Sequence, residues 1–555
     1  MMTENKIERK EDREPSLDNQ ILTGSAWMTV GSMGSRILGA LYIILWFSWM
    51  GGGETAAAAN GLYQMAYNPY NFFLMLATAG IPSAISKSVS RYNGMQEYET
   101  AKAIYKQGLK IMLLTGVLSA AFMYFFAPWF ARTGPSANVS DGIVVMRALT
   151  PALLIIPAMS VTRGLIQGHS RMKEPAISQI VEQLVRIVFI LAAVYLIRQV
   201  FNGEPVTAVA MSTFGAFIGA VASFAYLYFR MKTIPTVFDR SPEESLNQVH
   251  VSPKQLIWEI IKTSIPFIIV STGVIIFQII DQQTYAPLMR VFSSLSDADI
   301  QITYGITQAN AHKLSMILTS FGSALAITSV PLISNLTAQH NIKEVRRQLV
   351  KGILLLMFII LPASLGMLVV AEPLYSFFYD YSDLGYRVTQ VYAIVTIILA
   401  LYIMLGNICQ SANLQRPAIF AVGLGFVIKI VTQPLFIWMA GPYGMLISTF
   451  IGLGLTSALM MRALYNETRY SLKFLFRRFL LLLLMSVLMA VVVLVFREIL
   501  RPFLDYHNSF QGLIATGILA LVGFLVYMYM ALKLRVADRL LGDKVAIVRE
   551  KLNIK

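Results

Sequence analysis

A single cysteine, Cys409, stands in 555 residues, so an internal disulfide and any cysteine-built metal centre are excluded, and the thiol reads as part of an apolar core. Histidine is nearly as scarce: five are scattered without the spacing of metal ligands. No G-x-x-x-x-G-K-[ST] run occurs and no long polar segment could fold as a nucleotide-binding domain, which excludes an ATP-driven pump. Charge is sparse too, at 14% of residues, while 56% are hydrophobic and the mean hydropathy is +0.62. No soluble core hides that much apolar surface, and the chain reads as an all-α polytopic membrane protein.

About 20 apolar residues in a helix cross the ~30 Å hydrocarbon layer. By that measure fourteen transmembrane helices are expected: near 21–50, 58–86, 107–131, 143–168, 176–197 and 206–229, then 257–285, 303–333, 350–376, 388–413, 417–440 and 441–465, and finally 474–497 and 510–533. The tail 1–20 mixes both signs of charge and lacks the basic n-region and cleavage site of a signal peptide, so the first helix is retained. The net charge of +15 would suit nucleic acid if it were clustered, but it is distributed along the loops. Lys87, Arg91, Lys102 and Lys106 follow the second run, Arg163, Arg171 and Lys173 the fourth, Arg230 and Lys232 the sixth, Lys343, Arg346 and Arg347 the eighth, and Arg469, Lys473, Arg477 and Arg478 the twelfth. The alternate loops hold fewer cations and the acids Glu54, Asp297, Asp299, Asp380 and Asp383. The positive-inside rule then puts both termini in the cytoplasm and assigns the basic excess to topology, with no nucleic-acid partner.

Landmarks recur at a shift of about 245 residues. Ile81-Pro82 answers to Val330-Pro331, Ala127-Pro128 to Glu372-Pro373, Gln167 to Gln410, and Pro175-Ala176-Ile177 to Pro417-Ala418-Ile419. Helices one to six (21–230) and seven to twelve (256–465) therefore read as two parallel copies of one six-helix unit, joined by the polar linker 231–255. Helices thirteen and fourteen (466–533) are extra. In the last segment, 534–555, Val536, Leu540, Leu541, Val545, Val548 and Leu552 mark a basic amphipathic helix, suited either to the inner leaflet or to a packed cytoplasmic cap.

Polar groups inside apolar runs mark candidate sites. Helix five carries Gln179, Glu182, Gln183 and Arg186 on one face; either Glu182 and Arg186 neutralise each other, or the stripe lines a cavity. Helix seven carries Gln278, Asp281, Gln282 and Tyr285; helix eleven carries Lys429 and Gln433. Helix eight begins near Ala311-His312-Lys313-Leu314, where Lys313 faces either the cavity or the interface. In helix one, GSMGSRILGALYIIL places Arg36 mid-span on a face with Thr29, Ser32 and Gly39. A charge there costs about 2.5–3.5 kcal/mol on insertion scales, and its own helix offers no carboxylate; only Asp281 or Glu182 on other helices could pair with it. A space bordered by Arg36, Arg186, Lys429 and Lys313 is an anion site by composition, and an arginine fork fits phosphate oxygens.

Ser35-Arg36-Ile37-Leu38-Gly39 resembles the S-R-x-L-G signature of the lipid II flippase family of the MurJ type, and Ala311-His312-Lys313-Leu314 resembles its A-D-R-L. Pro82-Ser83-Ala84-Ile85-Ser86-Lys87 and Gln167-Gly168, with Pro175 to Gln179 and Glu182-Gln183, are similar to its YtgP-type branch. The family lies in the multidrug, oligosaccharidyl-lipid and polysaccharide exporter superfamily. The resemblance implies a V-shaped pair of six-helix lobes, a cationic cavity for the diphosphate and sugar head of lipid II, and a groove on helices thirteen and fourteen for the undecaprenyl tail. Arg36 and Lys313 match the family's cationic positions. Tyr42 and Ile43 stand where a second charged turn is found in the better-studied branch, and Phe72 and Phe73 where it has arginine.

The expectation is thus a flippase of the bacterial cytoplasmic membrane, not an enzyme, carrying lipid II from inner to outer leaflet as a monomer among membrane lipids. It needs no cofactor beyond a coupling ion or the membrane potential. Its site is expected at Arg36, Lys313, Arg186, Lys429, Glu182, Asp281, Gln179 and Gln433. A flippase for capsule or teichoic-acid intermediates is the nearest alternative. A multidrug antiporter would want an acidic cavity, and an enzyme on lipid-linked sugars would need Asp297, Asp299 or Asp380 as acid or base and a larger external loop than any found.

Overall fold

The computed structural model describes residues 41–78, 81–169, 171–233 and 253–541, with isolated positions at 34, 35, 38, 39, 239 and 549. Arg36, the tail 1–20, most of the linker and the last amphipathic positions Val545, Val548 and Leu552 lie outside the described residues. The described chain is helical throughout its ordered elements. Helix α1 covers 41–49. It is followed by α2 (Gly53–Thr78), α3 (Ile81–Gly94), α4 (Tyr98–Thr133), α5 (Val139–Gly168), α6 (Lys173–Val194, extended by a π-helical turn Tyr195–Val200) and α7 (Pro205–Met231). After the linker come α8 (Pro253–Phe292), α9 (Asp297–Tyr304), a π-helical segment Gly305–Ala311, α10 (His312–Ala338), α11 (Ile342–Val369), α12 (Ala371–Tyr379), α13 (Asp383–Ser411), α14 (Gln415–Ala440) and α15 (Gly444–Thr468). Helices α16 (Leu472–Leu500), α17 (Ser509–Lys533) and the short α18 (Val536–Leu541) complete the chain.

Small polar residues start these helices. Asn138, Ser382, Ser471 and Asn508 each accept a hydrogen bond from a first-turn backbone N–H, and Ser296 and Asp299 form a reciprocal capping box. Such caps satisfy donors that have no partner within the helix, and they sit between apolar runs as the sequence places them. Among the described residues nine helical stretches are long and apolar enough to cross a bilayer. One of them, Gln415–Thr468, is 54 residues long and contains both α14 and α15, turned by the 3₁₀ segment Gly441–Tyr443.

Three expected runs are subdivided. The run at 58–86 is built from α2 and α3, and the run at 303–333 from α9, the π-helical segment and α10. The run at 350–376 breaks at Val370 into α11 and α12. Pro373 supplies no N–H for the carbonyl of Val369, and Arg497 Nη1 of α16 donates to that carbonyl instead at 3.0 Å. Helix α8 is longer than expected: its 40 residues start at Pro253, where proline's missing N–H costs nothing.

In the first half α4 packs on α5, α5 on α7 and α6 on α7; in the second, α11 packs on α13, α13 on α15 and α14 on α15. Helix α16 lies on α11 and α17, and α17 on α12. The halves meet where α2 crosses the π-helical segment, α8 and α9, and where α4 meets α8. At that crossing the backbones touch: a methyl group placed on Gly61 would lie 3.1 Å from the Gln301 carbonyl oxygen, and one on Gly305 would collide with the Ala57 carbonyl. Only glycine permits this approach. Gln301 seals it by donating to the Ala58 carbonyl at 3.1 Å and accepting from the Ala137 N–H at 2.7 Å, and Asp380 accepts from the Gly53 N–H at 3.1 Å. The two halves are therefore latched together toward the end of the bundle that carries residues 51–53 and 380–382. Outward faces are apolar, with Phe125 75% and Phe420 68% exposed, which suits lipid contact.

Candidate functional site

Helix α2 supplies the centre of the interface. Asn60, Tyr63, Gln64 and Tyr67 recur at helical spacing and share one face. Asn60 Nδ2 donates to Asn310 Oδ1 at 2.6 Å, and Asn310 donates in turn to the Tyr375 hydroxyl at 2.9 Å. Two turns away, Asn68 donates to Gln282 at 3.0 Å and to the Tyr304 hydroxyl at 3.2 Å. Buried polar groups are thus paired across the halves, as a low-dielectric interior requires.

Two cations join this network. Lys313, the second residue of α10, donates from Nζ to Asn60 Oδ1 at 2.9 Å and lies 5.1 Å from the centre of the Tyr63 ring. Arg186 of α6 donates from Nη2 to the Tyr63 hydroxyl at 3.1 Å and to the Tyr67 hydroxyl, with its guanidinium 5.2 Å from the Tyr67 ring. Tyr63 and Tyr67 stack at 4.4 Å. One tyrosine therefore serves both cations, its hydroxyl taking Arg186 and its face taking Lys313. Both cations are only partly buried, and among the described residues no carboxylate lies within ion-pair distance of either. Positive charge from opposite halves converges there, with no counter-ion among the described residues.

The remaining expected site residues fall elsewhere. Glu182 does not pair with Arg186: its carboxylate accepts from Arg163 Nη2 at 2.8 Å, and Arg163 also donates to Ser178 at 2.8 Å and Ser223 at 3.0 Å. The pair ties α5, α6 and α7 together, and it leaves Arg186 free to reach the tyrosines. Gln179 lies half-buried on the same helix. Gln183 reaches Gly39 of the first run, its Nε2 3.0 Å from where a methyl group there would stand.

Asp281, Lys429 and Gln433 form a separate cluster. Lys429 Nζ is fully buried and 2.7 Å from Asp281 Oδ1, and it also donates to Thr449 at 2.6 Å. Asp281 further accepts from Gln433 at 3.0 Å, from Gln308 at 3.3 Å and from Thr449 at 3.4 Å. Gln433 donates also to Thr284, and Tyr392 donates to Gln308. This knot joins α8, α13, α14, α15 and the π-helical segment, and its charge sums to zero. The sequence places Lys429 on the border of an anion site and leaves its pairing open; the partner, 148 positions away, is visible only in the fold. Asn60, Tyr63 and Tyr67 are absent from the expected site because, uncharged in an apolar run, they read as core, and Arg163 reads in the sequence only as one of the basic residues after the fourth run.

The chain matches known proteins in both sequence and fold. Residues 21–337 match a family model described as polysaccharide biosynthesis protein, and residues 308–435 match the MatE model. Lipid II flippase MurJ of Bacillus subtilis (strain 168) is 32% identical over 540 residues, which cover 95% of this chain and 98% of that one. The chain belongs to the MurJ lipid II flippase family. Among solved structures, the MurJ lipid II flippase in an inward closed conformation superposes with a TM-score of 0.62 at 15% identity, covering 92% of this chain and 98% of that one. An inward-facing multidrug resistance MATE transporter gives 0.58 at 13% identity, covering 80% and 95%. The MurJ family and its MATE-like neighbours thus share this fold, and with its apolar helices the chain is a multi-pass membrane protein.

Proposed function

We propose that this chain is a flippase that moves lipid II, the undecaprenyl-diphosphate-linked peptidoglycan precursor, from the inner to the outer leaflet of the bacterial cytoplasmic membrane. Family membership over nearly the full length supports the substrate. The observation that carries the site is the meeting of Arg186 and Lys313, from opposite halves, on Tyr63. With Arg36, which the sequence places mid-span in helix one, they would hold the diphosphate; the Arg186 guanidinium offers a planar fork and Lys313 a point charge. The Asp281–Lys429 pair, with Gln433 donating to its carboxylate, stiffens the second half, and Gln179 lies on the same helix as Arg186, two turns before it.

We read the architecture as fourteen spans: two parallel six-helix units plus α16 and α17. The matching neighbour orders α4–α5–α7–α6 and α11–α13–α15–α14 support the repeat. The charge distribution supports cytoplasmic termini, which makes the latched end of the bundle the outer one and the conformation closed to the outside. Alternating access then needs the α2 crossing at Gly61 and Gly305 to open while the head group remains on the cations. A single chain suffices, and no nucleotide is required. An inside-negative potential favours outward movement of anions by about 2.3 kcal/mol per charge per 100 mV, enough to drive an uncompensated diphosphate.

Arg186→Ala tests the site. In vesicles containing the purified protein and lipid II, the variant should reach normal folded yield and lose at least tenfold in transbilayer movement, with Arg186→Lys recovering only part of it. Full movement by Arg186→Ala would remove the diphosphate role. Arg36→Ala should fail in the same assay, and Arg36→Lys should be poorly tolerated.

A further inference from the structure

A second cationic feature lies away from the interface, at the basic end of the second half. A cavity of about 440 Å³ opens between the start of α11, the start of α16 and α18. Its cations are Arg346, Arg347, Lys351, Arg478 and Arg539, and among the described residues no acid lines it. Its walls are apolar, formed by Val350, Leu354, Phe474, Leu481, Leu482, Val536 and Leu540.

The order of these side chains along the helices is informative. On α11 the cations occupy the first turns and Leu354 follows them; on α16 Arg478 lies early and Leu481 and Leu482 lie one turn further in. Charge is thus concentrated where the helices enter the bilayer, and apolar wall where they run into it. Among the described residues none of the five cations has its donors filled, and Lys351 and Arg539 form no ion pair. Arg346 spends only its Nε on the Thr468 carbonyl, at 2.7 Å; Arg347 meets Glu344 only at 3.7 Å while its side chain is 78% exposed; Arg478 lies 5.4 Å from the Phe474 ring. Ser471, also in the lining, caps α16, whose N-terminal dipole adds to the positive field.

We infer that this cavity binds one anionic glycerophospholipid of the inner leaflet, its phosphate among Arg346, Lys351, Arg478 and Arg539 and its acyl chains along Leu354, Leu481 and Leu482. A free phosphate would use the cations and leave the apolar wall idle; a zwitterionic lipid would use the wall but not five cations without an acid. None of the residues that meet on Tyr63 comes from α11, α16 or α18, so the site is separate from the substrate cations, and its occupant would brace α11, α16 and α18 against one another.

Native mass spectrometry of the full chain in detergent, titrated with phosphatidylglycerol, phosphatidylcholine, undecaprenyl phosphate or inorganic phosphate, tests the inference. The wild type should retain one phosphatidylglycerol at least tenfold more tightly than phosphatidylcholine, and neither millimolar inorganic phosphate nor undecaprenyl phosphate should displace it. The combination Lys351→Glu, Arg478→Glu and Arg539→Glu should abolish that preference. Val350→Trp, which fills the cavity and keeps every charge, should weaken retention equally at an unchanged melting temperature. Equal retention of phosphatidylcholine, displacement by either competitor, or undiminished phosphatidylglycerol binding in folded Val350→Trp protein would overturn the assignment.

Discussion

Asp281→Ala should be the most destabilising single substitution in the membrane core, lowering stability by about 3–5 kcal/mol. Lys429 is fully buried, and Asp281 is its only carboxylate within ion-pair distance among the described residues. Removing that carboxylate strands an ammonium in a low-dielectric interior and also strips Gln433, Gln308 and Thr449 of their shared acceptor. The cost is one of desolvation, so removing both charges together should restore most of the loss: Asp281→Asn with Lys429→Met replaces the pair by neutral side chains of similar volume. Lys429→Met alone should be milder, because three neutral donors still face the carboxylate. Thermal melting in detergent and resistance to proteolysis read all three. An Asp281→Ala protein that melts with the wild type would show that the pair contributes nothing to the fold.

Gly305→Leu should hold the latched end open and reduce transport at least a hundredfold with the protein still folded. The Gly305 position touches the Ala57 backbone, and a carbonyl, unlike the end of a flexible side chain, cannot swing aside. Since α2 and the π-helical segment are continuous with the elements that carry Tyr63 and Lys313, keeping them apart also separates the cations of the two halves. Spin labels on the exposed Glu54 and Asp383 positions report the state of that end. The wild type should give a short distance with a minor long component, and the variant only the long one; identical distributions would contradict the role assigned to the crossing. Gly61→Leu should act in the same direction.

Much of the helical framework was legible because its physical cause is local. Long apolar runs, bounded by Asn and Ser caps and by proline, have few alternatives in a bilayer. Where the expectation was too simple, a backbone detail intervened: Pro373 has no N–H for the Val369 carbonyl, so α11 and α12 separate at Val370, and Arg497, more than a hundred positions later, takes the freed carbonyl. The charged residues of the site were equally visible, since a charge in an apolar run has few explanations. Their partners were not. Glu182 chose Arg163 over the nearer Arg186, and Lys429 chose Asp281, because those choices depend on which helices pack side by side. Tyr63 was overlooked for a different reason: a tyrosine in an apolar helix reads as core until the cations on its face and hydroxyl are seen together.

Leaflet-specific detection of lipid II on depletion decides whether this protein delivers lipid II to the outer leaflet. In cells where this chain is the only lipid II flippase, switching it off should make outer-leaflet lipid II, read by an externally added impermeant enzyme or lectin, fall toward zero while inner-leaflet lipid II accumulates. Restoring the wild type should reverse both changes, and restoring Arg186→Ala should not. Undiminished arrival of lipid II at the outer leaflet after depletion would contradict the account.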